Sequence, residues 1–341
     1  MQLRDLVKYR NSLSRIISTN RDHINYQKIE RPIFQELENF NASVNLENIE
    51  IDNLKESMHN TQREILKNIT DLYVYLNRFI FELDQMILDT EQTYHIKSIE
   101  IQKADLDQPP EHKNFQADYH RLFFTPPIST EEPSEIEQAF VGTIKKYVDF
   151  KWPGLEIGPL KGYYTKELVA LDPLYLADNI NGRFIETKKL WNKMYQKRLR
   201  YYTFNDNNDN PMHLLPKNQF GLILSFNWFN FKTQDVIEKY IKSAFDLLKP
   251  GGAMVFTYNN CSFPKAIDNV DEMHYTYTNG HTLKKFCESV GFEIMSNYDG
   301  ENQFVNWCVS WLEIKKPGKL TSLRGGQNLG AINRLWNGEN E

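Results

Sequence analysis

One short segment of the sequence combines residue types that hold a ligand through the protein backbone. Leu155-Glu156-Ile157-Gly158 has the pattern of a strand that ends in a glycine, and a second glycine, Gly162, follows four residues later. Glycine lets the backbone take positive φ and approach a ligand closely. Val169-Ala170-Leu171 has the pattern of a second strand, ended by Asp172. Because a carboxylate at the end of the second strand of a nucleotide-binding unit accepts both ribose hydroxyls, this series predicts such a unit.

The elements that must position these residues alternate between short apolar runs and helical patterns from 151 to 314. This alternation is typical of an α/β domain with a mainly parallel sheet. We predict helices near 186–197, 234–248 and 280–289, and a hairpin at Tyr298-Asp299-Gly300 that makes the seventh strand antiparallel. The predicted strands lie near 154–157, 167–171, 200–204, 220–226, 252–258, 292–297 and 306–314.

The first 105 residues favour long helices, because they contain no glycine and one proline, Pro32, the two poorest helix formers. The spacing of their apolar residues predicts a helical hairpin or a coiled-coil arm. That spacing indicates a buried face, and leaves open whether this chain or a second subunit buries it. The apolar residues recur every three or four positions at Leu54, Met58, Ile65, Ile69, Leu72, Leu76, Phe79, Leu83 and Ile87, with Gln62 in the one gap.

Three further stretches complete the predicted domain organisation. Residues 106–134 carry two proline pairs and are predicted to be a linker or an extended strap, because paired prolines cannot continue a helix. A helix follows Ser134, with Glu137 at capping-box spacing, and opens the α/β domain at 135–314. Residues 315–341 are rich in glycine, asparagine and lysine, which predicts a tail that is flexible or docks locally.

The motifs of the α/β half resemble those of the class I S-adenosylmethionine-dependent methyltransferases. The family's first motif, a strand followed by Glu/Asp-x-Gly-x-Gly-x-Gly, is similar to 155–162. Its fourth-strand region resembles 214–227, and its Lys-Pro-Gly-Gly turn before the fifth strand resembles 244–252. Gly291-Phe292-Glu293 resembles its late strand start. The resemblance implies an α/β fold with a Rossmann-like sheet of seven strands, mostly parallel, whose last strand is antiparallel.

Carried over residue by residue, the resemblance implies a binding site for S-adenosyl-L-methionine. Glu156, Gly158 and Gly162 would form the turn around the methionine end of the cofactor, and Asp172 would hold the ribose. Only nine residues would then separate Gly162 from Asp172. The other implied cofactor residues are Pro159 in the turn, Pro173 beside the adenine, Met212 and His213 on the adenine ring, and Ser225 and Asn227 facing the methyl group.

Methyl transfer from a sulfonium is an in-line displacement that depends mainly on holding donor and acceptor in contact. An oxygen or amine acceptor also requires a group that removes its proton. The candidates for a catalytic role are His274, in a loop after the fifth strand, Asn227 and Tyr163. We predict no metal site, because the three cysteines are far apart and form no zinc pattern.

Composition excludes several classes of protein. Apolar residues make up 40% and charged residues 25% of the 341 residues, which is typical of a globular chain, and no apolar run reaches the length of a membrane span. The net charge of −5 argues against nucleic acid as the main partner. The scattered cysteines and the charged N-terminal sequence predict a cytoplasmic protein, with a virion-associated protein as the alternative.

Two functions from different classes remain open. The first is a methyltransferase with an unidentified acceptor, whose residues 1–105 form a homo-oligomer or recruit a helical partner. The second is a structural or assembly protein, such as one of a phage or another large particle, that retains a methyltransferase-like domain without activity.

Overall fold

The computed structural model describes residues 3–19, 69–107, 135–159, 162, 164–179, 187–188, 191–302 and 307–321. The chain divides into two compact units. The first consists of Met1–Ile96 with Ser262–Asp268, and the second of Lys97–Cys261 with Asn269–Glu341. Nearly all of the predicted proline-rich linker and most of the predicted tail lie outside the described residues.

The first unit contains helix α1 (Leu3–Thr19) and most of helix α2 (Ile69–Asp107). Arg10 Nε donates a hydrogen bond to Asp84 Oδ1 at 3.0 Å and so joins the two helices. Phe79, Leu83 and Ile87 of α2 are buried, which confirms the buried stripe at these positions, whereas Leu54, Met58 and Ile65 lie outside the described residues. None of the helices in the described ranges is long and apolar enough to cross a membrane.

The second unit is built around one mixed sheet. Its strands within the described residues are β1 (Gly154–Ile157), β2 (Leu174–Asp178), β3 (Leu199–Thr203), β4 (Phe220–Ser225), β5 (Leu248–Tyr258), β6 (Glu293–Asn302) and β7 (Trp307–Lys315). They are ordered β3-β2-β1-β4-β5-β7-β6. β1 to β5 pair in parallel, and β7 runs antiparallel to both of its neighbours. The predicted Rossmann-like sheet with an antiparallel last strand is confirmed. The turn predicted at Tyr298-Asp299-Gly300 is wrong, because these residues lie within β6 and pair with β7.

The remaining helices of the described residues are α3 (Glu135–Lys145), α4 (Lys193–Gln196), α5 (Gln234–Leu247), α6 (Pro264–Asp271), whose first half belongs to the first unit, and α7 (Gly280–Val290). Phe140 of α3 packs in one cluster with Leu222 and Leu224, and Tyr240 of α5 packs with Ile223 in the other, so helices cover both faces of the sheet. Two helices differ from the prediction, since α4 is shorter than expected and α6 was not predicted.

The second strand is not where the sequence analysis placed it. Thr165–Leu168 form one turn of 3₁₀ helix, and β2 begins only at Leu174. The strand predicted at 167–171 is therefore wrong. Apolar runs flank Asp172 on both sides, and a short apolar run does not reveal by itself whether it forms a strand. Pairing with β1 selects the second run, Leu174–Asp178.

Asn279 caps helix α7 and offers a direct test of the helix boundary. Its Oδ1 accepts hydrogen bonds from the backbone N of His281 at 3.1 Å and of Thr282 at 3.2 Å. Asn279→Ala removes this acceptor, so the free energy of unfolding should fall by about 1 kcal/mol in urea denaturation. Asn279→Ser keeps a capping oxygen and should recover most of the loss. Equal stability of Asn279→Ala and the wild type would contradict the cap.

Candidate functional site

The carboxyl ends of β1, β2 and β4 meet at a point where the strand order changes direction. β1 lies between β2 and β4 and pairs in parallel with both. The register places Ile157 beside Ala177 on one side and beside Ser225 on the other. Open α/β sheets bind ligands in the crevice outside the carboxyl ends of the strands at such a switch point. The residues that follow these three strands therefore line the candidate site.

A glycine turn and a buried carboxylate lie next to each other at this edge. Gly158 follows β1 with φ of 66°, and its backbone N donates to Ala177 O at 2.8 Å. Asp178, the next residue after Ala177, ends β2 and is fully buried. Gly162 has φ of 77°, and its N donates to Pro159 O at 2.7 Å, which closes the turn. The predicted glycine turn thus has the positive φ values that glycine favours.

Glu156 links strand β1 to the turn that follows it. Its carboxylate is buried, and Oε2 accepts a hydrogen bond from Thr165 Oγ1 at 2.6 Å. Burial raises the pKa of Glu156 to about 7, against the opposing effect of the Thr165 hydrogen bond. The contact fixes the start of the 3₁₀ turn relative to β1, which is an ordering role for this carboxylate.

Polar groups without hydrogen-bond partners among the described residues lie at the end of strand β4. Ser225 ends the strand, and Asn227 has a positive φ of 50° with its backbone N donating to Thr257 Oγ1 at 2.7 Å. Three buried atoms here have no hydrogen-bond partner among the described residues, namely Ser225 Oγ, Asn227 Nδ2 and Trp228 Nε1. Buried polar atoms are nearly always hydrogen-bonded in proteins, so a cluster of exceptions at a strand end marks a place where a ligand can bind.

The indole of Trp228 lies against the glycine turn. A Cβ atom on Gly158 would overlap the Cδ1 atom of Trp228, so the indole occupies the position where any other residue would carry its side chain. Tyr240 meets the indole edge to face, with ring centroids 5.0 Å apart. The Lys232 ammonium lies 4.3 Å from the ring centroid and binds Asp206 Oδ2 at 2.9 Å.

Asp206 is the centre of a buried polar group that supports this arrangement. Lys232 is completely buried, and Tyr240 OH donates to Asp206 Oδ1 at 2.6 Å. Burial, followed by the neighbouring Asp206 carboxylate, raises the pKa of Tyr240, so its phenol keeps the proton that it donates. Asn179 Nδ2 also donates to Asp206 Oδ2, at 3.0 Å. Nothing in the sequence pattern indicated this group, because its members are separated along the chain.

Asp172 and Pro173 lie at the opposite edge of the sheet. Pro173 O accepts a hydrogen bond from Gly154 N at 3.2 Å, and Asp172 N donates to Trp152 O at 3.2 Å, both at the start of β1. The carboxylate of Asp172 accepts from Arg198 Nε at 3.1 Å. The expectation that Asp172 ends the second strand is wrong, and the ribose role that depended on this position has no structural basis.

The carboxylate that does end the second strand is Asp178, which the sequence analysis missed. The sequence does contain an indication of this strand end, since Leu174–Ala177 is an apolar run that is also followed by an aspartate. Fifteen residues, rather than nine, separate Gly162 from Asp178. The first crossover is therefore longer than expected, although its described part contains only the single 3₁₀ turn Thr165–Leu168.

The remaining predicted site residues are dispersed. Met212 is buried in the core, whereas His213 next to it is exposed. His274 lies in the loop between α6 and α7, with Nδ1 3.3 Å from Glu272 Oε2. Tyr163 lies outside the described residues. The described ranges contain no group of three His, Cys, Asp or Glu residues that could hold a metal ion.

The loop that carries His274 is attached to the segment after β4. Thr276 Oγ1 donates to Asn230 O at 3.0 Å and to Lys232 O at 2.7 Å, and Thr276 N donates to Asn230 O at 2.8 Å. The ring of Tyr275 meets that of Phe231 edge to face at 5.3 Å. These contacts bring the loop to the carboxyl edge of β4, beside the candidate site.

Comparison with known proteins yields similarities among solved structures only. No protein-family model and no curated protein matches the sequence. The chain is similar to an S-adenosylmethionine-dependent methyltransferase from Mesorhizobium loti, with 10% identity over 53% of this chain and 97% of that chain, and a TM-score of 0.43. It is also similar to the N-methyltransferase NodS from Bradyrhizobium japonicum, in complex with S-adenosyl-L-homocysteine, with 13% identity over 59% of this chain and 97% of that chain, and a TM-score of 0.41. The [4+2]-cyclase SpnF is similar with 12% identity over 54% of this chain and 83% of that chain, and a TM-score of 0.41. Similarity at this level leaves the chemistry to be argued from the site itself.

The raised pKa of Glu156 predicts a specific pH dependence of stability. Since the folded-state pKa lies above the usual value of 4.5, the unfolded chain releases its proton first as the pH rises. The Glu156 contribution should therefore lower the free energy of unfolding between about pH 4.5 and pH 7, by up to about 3 kcal/mol. Glu156→Gln should abolish this part of the slope in urea melts at pH 5 and pH 8. Parallel profiles of the variant and the wild type would rule out the proposed ionisation.

The contact between Gly158 and Trp228 predicts strong coupling between two substitutions. Gly158→Ala should cost at least about 2 kcal/mol, because positive-φ strain adds to overlap with the indole. In a Trp228→Ala background the overlap disappears, so that cost should fall by about 1 kcal/mol or more. Thermal or urea unfolding of the four proteins gives the coupling energy.

A second glycine provides the matched control for this cycle. Gly291 also has positive φ, at 108°, and an added Cβ would meet only Phe245. Gly291→Ala should thus cost the same with or without Trp228. Additive effects of Gly158→Ala and Trp228→Ala would show that the two residues are not in contact.

Proposed function

We propose that the second unit binds S-adenosyl-L-methionine in the crevice at the carboxyl ends of β1, β2 and β4, and transfers its methyl group to an acceptor. The observation that carries the proposal is the meeting of the Gly158 turn with the buried carboxylate of Asp178 at the switch point of the sheet. The neighbouring Ser225 Oγ and Asn227 Nδ2, which lack partners among the described residues, support a polar ligand at the same place.

The roles of the residues follow from their chemistry. The Asp178 carboxylate accepts hydrogen bonds from both ribose hydroxyls, as an acid at the end of the second strand does in nucleotide-binding units. Gly158 and Gly162 admit the amino-acid end of the cofactor, because glycine carries no side chain at either position. When bound, the cofactor supplies an electrophilic methyl group on a sulfonium. Asn227 lies after β4 and would orient the acceptor or the methyl group.

The acceptor side is assigned to the loop between α6 and α7. His274 is our candidate for the group that removes a proton from an oxygen or amine acceptor, with Glu272 near its Nδ1 atom. The hydrogen bonds from Thr276 to the segment after β4 support this assignment. Tyr163 is the alternative from the glycine turn.

A structural or assembly role is the second candidate function. It is favoured by the indole of Trp228, which lies where a ligand of Gly158 would lie. Exposed apolar side chains on α2, among them Phe81 and Leu88, support a helical arm that binds a second copy or another helix. In this role the protein would be cytoplasmic or virion-associated, and the second unit would act as a folded platform.

The two aspartates provide a matched pair of variants for the test. Asp178→Asn keeps the shape of the side chain but weakens its bonds to the ribose, so calorimetric titration with S-adenosyl-L-homocysteine should show at least about tenfold weaker binding than in the wild type. Asp172→Asn makes the same change at the opposite edge of the sheet and should leave the affinity unchanged. Circular dichroism confirms that both variants are folded.

Each other outcome has a clear meaning. Loss of binding in Asp172→Asn with normal binding in Asp178→Asn would contradict the site placed here. A folded wild-type protein that shows no binding at millimolar S-adenosyl-L-homocysteine would contradict the methyltransferase and leave the structural role.

A further inference from the structure

We propose that Trp228 is a displaceable plug of the cofactor crevice, and that its indole must leave Gly158 before a ligand can bind. The inference rests on the proposed function and adds a conformational step to it. A neighbour can approach Gly158 closely on the side where other residues carry a Cβ atom, and in this structure that neighbour is the indole. The same volume cannot hold both the ring and the methionine end of a cofactor.

The closed position is held from three directions. Trp228 is 2% exposed. Its ring packs edge to face on Phe229 at 5.3 Å and on Tyr240 at 5.0 Å, while the Lys232 ammonium lies 4.3 Å from its centroid. Aromatic pairs and cation–π contacts of this kind stabilise the ring beyond the burial of its apolar surface. The closed state is therefore the favoured one without ligand.

One feature reduces the cost of opening. The Nε1 atom of Trp228 is buried with no hydrogen-bond partner among the described residues, although a buried indole N–H ordinarily finds one. This cost is part of the closed state, so a movement of Trp228 can relieve it.

The supporting ion pair is not itself part of the plug. Lys232 is bonded to Asp206, which Tyr240 and Asn179 also bind. Because separating a buried charge from its partner is energetically costly, Lys232 and Asp206 stay fixed when the ring moves. The consequence is a crevice with a rigid wall and one mobile side chain. The apparent affinity for the cofactor is then the intrinsic affinity reduced by the fraction of open molecules.

Removing the indole should strengthen cofactor binding. Trp228→Val keeps a branched side chain in the core but lacks the ring, so S-adenosyl-L-homocysteine should bind at least about tenfold tighter than to the wild type in calorimetry. Trp191→Val is the matched control, because Trp191 is equally buried, in the cluster on the other face of the sheet. That variant should lose stability and keep wild-type affinity. Adding Asp178→Asn to Trp228→Val should abolish the gain.

A second measurement is made on the wild-type protein and uses a variant only to assign one resonance. The chain contains six tryptophans, which 5-fluorotryptophan labels for ¹⁹F spectra. The Trp228 resonance, identified by its absence in Trp228→Val or in the conservative Trp228→Phe, should move on addition of S-adenosyl-L-homocysteine and gain access to a soluble paramagnetic probe.

The outcomes separate the plug from the function. Equal affinities of the wild type and Trp228→Val, with an unchanged Trp228 resonance on binding, would overturn the plug and leave the cofactor site intact. If neither folded protein binds S-adenosyl-L-homocysteine, the proposed function and the plug both fail. Tighter binding in Trp228→Val that survives the Asp178→Asn change would also overturn the inference, because the new pocket would then not be the cofactor crevice.

Discussion

The pairing register of β1 between β2 and β4 is the constraint from which the site follows. The hydrogen bond from Gly158 N to Ala177 O, 2.8 Å long, fixes the glycine turn beside the end of β2, and the parallel pairing of Ile157 with Ser225 fixes it beside the end of β4. A shift of one residue would turn the alternating side chains to the other face. Because both faces of β4 are buried under helices, such a shift would disrupt two apolar clusters, and the register is accordingly well determined.

The same crevice contains features of a binding site and features of a closed core. A buried carboxylate and polar atoms without hydrogen-bond partners among the described residues are useful to a ligand and costly without one. The indole against Gly158 and the buried Lys232–Asp206 pair are features of a closed core, since they fill space and pair charges within the protein itself. A mobile tryptophan reconciles them, because one side chain can fill the space in the absence of a ligand and vacate it in its presence.

Much of the fold could be predicted from the sequence, and less of the site. The alternation of apolar runs and helical patterns identified six of the seven strands. The absence of a helical pattern between the last two strands indicated the antiparallel edge, although the predicted turn residues Tyr298-Asp299-Gly300 belong to β6 itself. The prediction of the second strand was wrong because two apolar runs flank Asp172-Pro173. The long-range ladders with β1 and β3 distinguish them. For the same reason the carboxylate at the end of the second strand was taken to be Asp172, whereas Asp178 ends it. The contact of Trp228 with Gly158 joins residues 70 positions apart, and neither periodicity nor spacing along the chain encodes it.

A crystal structure of the protein with S-adenosyl-L-homocysteine tests the account most directly, because it locates the ribose and the indole at once. We expect the two ribose hydroxyls within hydrogen-bonding distance of the Asp178 carboxylate, and the Trp228 ring rotated away from Gly158. A ligand bound elsewhere on the protein, with the indole still against the glycine turn, would contradict the cofactor site and its plug together.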